Sequence, residues 1–194
     1  MIRFSKTNRK YGCFSNFYPC SVNYANMEFL NSEAAYQAMK TVKPEERQMF
    51  VNLTGKEAKK LGGKITMRPN WDKIKYMIMV DVCYAKFSQN PELKQILLST
   101  GDEVLIEDTT GWHDNIWGNC SWERCRNITG QNLLGKALMK VRMMLRDEVE
   151  AEFMEWYSGL LKIKEKLEKQ TTDNYFELQW IESMIAVCEA HFLQ

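Results

Sequence analysis

Asn31-Ser32-Glu33-Ala34-Ala35-Tyr36-Gln37-Ala38-Met39-Lys40 is where this chain changes character. The thirty residues before it mix aromatics with Gly12, Pro19 and repeated asparagine, and patches such as Cys20-Ser21-Val22-Asn23-Tyr24 alternate as strands do. From Ser32 the residues are helix formers, with Asn31 or Ser32 available to cap the first turn. The pattern predicts a small sheet followed by a helix over 32–41, the start of an α+β fold.

Working outward, helix signals dominate. Pro44 opens a short helix to about residue 53, and Thr54 to Gly63 reads as another, closed by Gly62-Gly63. Trp71 to Phe87 carries the spacing of a long amphipathic helix, and Pro91 to Ser99 suits one that Gly101 stops. Val104 to Glu107 is a short apolar run, a strand leading into a loop that continues over 119–130. Asn132 to about Tyr157 reads as a long helix, with Leu133, Leu134, Ala137, Leu138, Val141, Met144 and Leu145 as its buried stripe. Phe153 to Lys169 and Phe176 to Phe192 form a helix pair broken at Thr171-Thr172-Asp173-Asn174. The expected organisation is one compact domain over 1–150, mostly helical with a small sheet. A helical extension over 151–194 is expected to pack on that domain or to form a dimer seam.

Composition bounds the function. At 194 residues with 45% hydrophobic and 12% aromatic residues the chain fills a core and is not disordered. No apolar run approaches the roughly 18 residues of a membrane span, and the first ten residues lack a signal-peptide core, so the expected address is cytosolic and no membrane is involved. The net charge of +1 hides an asymmetry: residues 1–150 carry 22 basic against 17 acidic groups, and residues 151–194 four lysines against eight carboxylates. A mildly basic body suits an anionic ligand, though it lacks the clustered excess of a dedicated nucleic-acid binder. Cysteines 13, 20, 83, 120, 125 and 188 contain no Cys-x-x-Cys pair, and no histidine stands at zinc-ligand spacing, so the expectation is reduced structural cysteines and no metal.

Gly111-Trp112-His113-Asp114-Asn115-Ile116-Trp117-Gly118 is too aromatic for an ordinary surface loop. Tryptophan offers a face for a base or ribose, Gly118 lets the backbone come close, and Asp114 can act on a bond being broken. On the 32–41 helix, Glu33, Gln37 and Lys40 are spaced i, i+4, i+7 and share one face. There Gln37 and Lys40 can bind hydroxyls or phosphate while Glu33 addresses a ribose, held ionised by the helix dipole.

The order of these pieces resembles the YbiA-like or NADAR family over roughly residues 11–146. The resemblance rests on several motifs in one order, among them Cys13-Phe14-Ser15-Asn16-Phe17-Tyr18-Pro19, Ser32 to Lys40, Met67-Arg68-Pro69-Asn70-Trp71 and Lys86-Phe87-Ser88-Gln89-Asn90. Leu105-Ile106-Glu107, Asp114-Asn115-Ile116-Trp117-Gly118 and Gly130-Gln131-Asn132-Leu133-Leu134-Gly135-Lys136 follow. One departure is Ala34, where many members carry a histidine.

That resemblance implies an N-glycosidase that cleaves the bond between ribose C1 and a base nitrogen with water and no cofactor or metal. Glu33, Asp114 and Lys40 are the implied catalytic residues, Lys40 with a minor role as an amine that captures opened ribose. Asn16, Phe17, Gln37, Arg68, Trp71, Lys86, Glu107, Trp117, Gly118 and Asn132 are the implied substrate contacts. Several keep a plainer alternative: Arg68 as an exposed loop residue, Trp117 as a core anchor, Asn16 as a turn residue, Trp71 as a helix cap, Asn132 as an N-cap, and Lys86 and Glu107 as structural ion-pair partners. The favoured reaction is removal of ADP-ribose from ADP-ribosylated guanine, with modified DNA as a candidate substrate and a monomer or homodimer as the working form. Hydrolysis of phosphoribosylamino-pyrimidine intermediates of riboflavin biosynthesis, and a non-catalytic ADP-ribose or NAD-binding module, are the alternatives.

Overall fold

Asn31 caps the helix that the sequence announces: its Oδ1 accepts the Ala34 N–H at 2.8 Å and its Nδ2 donates to Leu53 O at 2.9 Å. A computed structural model describes residues 1–146, 150–170 and 174–192, and in it this helix, α1, spans Ser32–Ala38. It stops three residues short of the expected end. Lys40 and Thr41 donate back to Gln37 and Ala38, a tightened last turn, and the carbonyls of Lys40 and Thr41 are taken by Arg68 N–H and Arg47 Nε. Every residue of α1 is buried, so the helix has no solvated face.

The chain divides into two compact units, Met1–Leu145 and Arg146–Gln194. In the first, strand β1 (Ile2–Phe4) precedes a hairpin of β2 (Val22–Tyr24) and β3 (Met27–Phe29). Ala25 and Asn26 link the hairpin with φ of 51° and 60°, the paired left-handed geometry of a tight hairpin turn. After α1 come α2 (Pro44–Gln48), α3 (Gly55–Leu61), α4 (Trp71–Gln89), α5 (Pro91–Leu98), β4 (Leu105–Glu107) and α6 (Leu133–Met144). Strand β4 pairs in parallel with β1, Phe4 opposite Glu107, so the small sheet is in fact two separate two-stranded pieces.

Two helices depart from expectation. The second half of α4, Ile78 through Phe87, is buried on every side where an amphipathic stripe was expected, because it threads the middle of the unit. Helix α6 ends at Met144 and does not reach Tyr157; residues 147–149 of the expected long helix lie outside the described residues. The core collects Phe4, Phe14, Phe29, Phe50 and Phe87, with Phe14 meeting the rings of Phe4 and Phe87 at 5.5 and 6.0 Å.

In the second unit α7 (Glu150–Glu168) and α8 (Tyr175–Phe192) bury Leu160, Ile181, Met184, Ile185 and Cys188 between them. The break expected at Thr171-Thr172-Asp173 lies outside the described residues, and so does the side chain of Phe192. Among the described residues no helix is long and apolar enough to cross a membrane.

Candidate active site

A cavity of 630 Å³ opens over α1 in the first unit, and its two chemical poles come from opposite kinds of structure. Helix α1 supplies one. Glu33 is 7% exposed, its N–H donates to Asn16 O, and its Oε1 accepts Gln37 Nε2 at 2.7 Å. The Glu33 to Gln37 spacing thus makes a hydrogen bond within the helix as well as a shared face. Burial pushes the Glu33 carboxyl above the usual carboxylate range, opposed by Gln37, Lys59 and Lys40. Burial therefore works against the helix dipole that was expected to hold Glu33 ionised, while the Gln37 hydrogen bond and the charges of Lys59 and Lys40 favour the carboxylate.

The segment 108–132 supplies the other pole. Asp114 Oδ1 accepts the amides of Ile116 and Trp117 at 2.8 and 3.0 Å, and Thr109 Oγ1 donates to Asp114 O at 2.5 Å. One oxygen of the expected catalytic carboxylate therefore shapes the turn that presents Trp117. Trp117 meets Tyr36 edge to face at 5.4 Å, and Tyr36 in turn contacts Trp71 at 5.2 Å. Glu107, at the end of β4, also lines the cavity. Burial, then the charges of Asp114 and Glu33, push its carboxyl up to about 7. A half-buried carboxyl shifted toward neutrality by burial and by Asp114 and Glu33 is suited to hold or deliver a proton.

Asn16, Phe17, Glu33, Gln37, Lys40, Trp71, Glu107, Asp114 and Trp117 all reach this cavity, so α1 and the tryptophan-bearing turn face one space. Four expected contacts do not line it. Lys86 is fully buried in α4 and donates Nζ to Ser15 O at 2.8 Å; it is an anchor for the loop beneath the site. Arg68 is buried away from the cavity, with its N–H on Lys40 O. Gly118 packs so tightly that a Cβ there would fall 2.2 Å from Thr109 Cγ2 and 2.7 Å from Glu107 O. Asn132, at φ 51°, makes no cap; its Oδ1 accepts the Glu107 N–H at 3.1 Å and its Nδ2 donates to Leu105 O at 2.8 Å, clasping β4 so that Glu107 is held in place.

The main feature missed from the sequence is a basic rim. Lys6, Lys56, Lys59, Lys60 and Lys75 join Lys40 on the cavity wall. Lys56, Lys59 and Lys60 stand at i, i+3, i+4 on α3, a readable stripe, but which way α3 faces depends on packing: Gly55 at its start lies so close to Phe17 that a Cβ would meet the ring at 2.9 Å. Lys40 Nζ lies 3.4 Å from Gly62 O, and burial lowers its pKa. Ala34, the point of departure from the family pattern, is wholly buried and off the cavity wall.

Comparison with known proteins gives consistent answers. The family model described as the NADAR domain matches residues 3–146. The chain is 36% identical over 152 residues to N-glycosidase Npun_R5314 of Nostoc punctiforme, covering 75% of this chain and 93% of that protein. It is 30% identical over 151 residues to N-glycosidase YbiA of Escherichia coli, covering 76% and 90%. The solution structure of that YbiA superposes with a TM-score of 0.64 over 74% of this chain and 83% of that one. A riboflavin biosynthesis protein of Vibrio vulnificus is 31% identical over 150 residues, which are 75% of this chain and 39% of the larger protein.

Proposed function

Because the chain belongs to the NADAR domain family and is an N-glycosidase, a hydrolase of N-glycosyl bonds, we propose that it removes ADP-ribose from ADP-ribosylated guanine in nucleic acid. The observation that carries this reading is one cavity in which two carboxyls, the buried Glu33 and the half-buried Glu107, lie within a rim of lysines and beside Trp71 and Trp117. Each part answers a demand of the substrate. The lysines match a diphosphate as point charges, and the indoles offer faces for an adenine or for the modified base. A cavity of 630 Å³ is in the range that holds a ligand of dinucleotide size.

Cleaving the C1–N bond builds positive charge on the ribose as the base leaves. Glu33, with Gln37 fixing its oxygen, stabilises that charge as a carboxylate and takes the proton of the attacking water. Glu107, protonated up to about pH 7, donates to the departing nitrogen. The water oxygen ends on C1 as a hydroxyl that keeps one proton, the proton given by Glu107 ends on the base nitrogen, and the water proton taken by Glu33 passes to Glu107, directly or through solvent, and restores both groups. Asp114 holds the turn while adding negative potential to the same space. Burial favours the neutral amine of Lys40, which gives capture of an opened ribose as a Schiff base a physical basis.

Chromatography of products tests the reading. An oligonucleotide carrying ADP-ribose on guanine is expected to release free ADP-ribose and regain the unmodified base, and Glu33→Gln to slow release by ~10²–10⁴-fold. Turnover of a phosphoribosylamino-pyrimidine alone would replace the nucleic-acid substrate with the riboflavin intermediate that the Vibrio relative's name suggests. Binding without turnover, indifferent to Glu33→Gln, would make the chain a binding module. Borohydride reduction during turnover would leave a stable adduct on Lys40 if the amine reacts.

A further inference from the structure

No Cys-x-x-Cys pair marks a metal site in the sequence, yet the fold brings His113 to the Cys120-x4-Cys125 pair. His113 Nδ1 lies 3.3 Å from Cys120 Sγ, and the donor atoms of His113, Cys120 and Cys125 all lie within 4.8 Å of one another. Tetrahedral zinc with bonds of about 2.0–2.3 Å needs its nitrogen and sulfur ligands about 3.5–3.8 Å apart, so the three donors need only small rotations to share an ion. The geometry points to a site for a thiophilic divalent cation, zinc above all, held by His113, Cys120 and Cys125 beside the cavity, with a fourth position open to water on the exposed side of His113.

The surroundings are built for this arrangement. His113 adopts φ 58°, a conformation rare for a residue with a Cβ, which turns its ring toward Cys120. The ring stacks on Trp122 at 4.3 Å and 22°, which fixes its plane. The Trp122 N–H points at Cys120 Sγ at 3.4 Å, a donor that favours thiolate, and Asn115 Oδ1 holds the Cys120 N–H at 3.1 Å. Both cysteines are buried, and their thiols give a set that prefers zinc, cobalt or cadmium over magnesium or calcium. Binding breaks two S–H bonds, forms two S–metal bonds and one N–metal bond, and releases two protons to solvent. An ion there would pin three points of the loop whose other side chains, Trp112, Asp114 and Trp117, line the cavity, so it would act on the rim without touching substrate.

Cobalt titration of reduced, chelator-stripped protein tests this. One equivalent is expected to raise a thiolate-to-cobalt charge-transfer band that zinc then bleaches, with two protons released per ion. Cys120→Ser with Cys125→Ser should lose the band, and Cys188→Ser should keep it. His113→Asn, which tolerates the left-handed backbone, should keep the fold by circular dichroism and weaken zinc binding by more than the roughly 10–100-fold that loss of an outer partner costs. Folded, reduced protein that shows no such band, or a band untouched by the double cysteine variant, would overturn the site. These readouts do not depend on which glycoside is cleaved.

Discussion

Helix α1 and the 108–132 segment face the same cavity and are held by different means. The helix is wholly buried, capped by one asparagine, and delivers Glu33 by backbone periodicity alone. The segment has almost no regular structure, and its shape comes from short polar side chains bonding to nearby backbone: Asp114 on two amides, Thr109 on Asp114 O, Asn115 on Cys120, Asn132 on β4. A buried helix fixes one acid strongly through the bulk of the core. A loop of side-chain clasps fixes several groups, each through one or two bonds, and is the part that a point change or a bound ion can reshape.

Substitutions can sharpen that contrast. Glu33→Gln should lower kcat/KM by ~10²–10⁴-fold in the product assay, with a melting temperature equal to or above that of the parent, because a buried carboxyl is replaced without loss of packing. A stability loss with activity intact would place Glu33 in the architecture alone.

Second in size is the response to pH. Glu107 moves from 4.5 to about 7, so the folded state binds its proton more tightly than the unfolded chain. The stability this contributes is complete below about 4.5 and is lost as pH rises to about 7, at most ~3 kcal/mol for this group. Denaturant midpoints of the parent should fall across that window, those of Glu107→Gln should stay flatter, and parent activity should decline above about pH 7 as the acid is lost. An unchanged slope in the variant would remove Glu107 from the titration.

Trp117→Ala should weaken ADP-ribose binding by ~1–3 kcal/mol in calorimetry if a base stacks on it. An unaltered titration would leave Trp117 as packing for Tyr36. Smallest is the loop itself: Asp114→Ala, which strips two amides of their acceptor, should cost about 1 kcal/mol in chemical denaturation, and Asp114→Asn, which keeps an oxygen in place, much less. Equal costs for the two would mean that charge, not the turn bonds, is what the loop needs.

The same contrast explains what could be read in advance. Helix α1, the helix read from Thr54 to Gly63 and the Pro44 and Pro91 helix starts are local facts of sequence, and they reappear within a few residues. Glu33 and Gln37 followed from helical spacing, and Asp114 and Trp117 from an unusual concentration of aromatics. Lys86 reads as a substrate contact or an ion-pair partner, because only the surrounding fold reveals that α4 is covered on all sides there. Arg68 carries the right chemistry but lies off the cavity, and Asn132 spends its amide on the scaffold. The lysines of α3 depend on how that helix packs against Phe17. Least legible was the meeting of His113 with Cys120 and Cys125: the two cysteines stand at a Cys-x4-Cys spacing that zinc ligands use, but only the fold shows that His113 reaches them.

Lys86 also has a bearing on how the cavity wall is held. It grips Ser15 O from inside the core, and the next carbonyl, Asn16 O, is taken by the Glu33 amide. A wall tied from behind at two successive residues takes its position from the core, whereas the 108–132 segment on the same cavity takes its position from its own side-chain bonds.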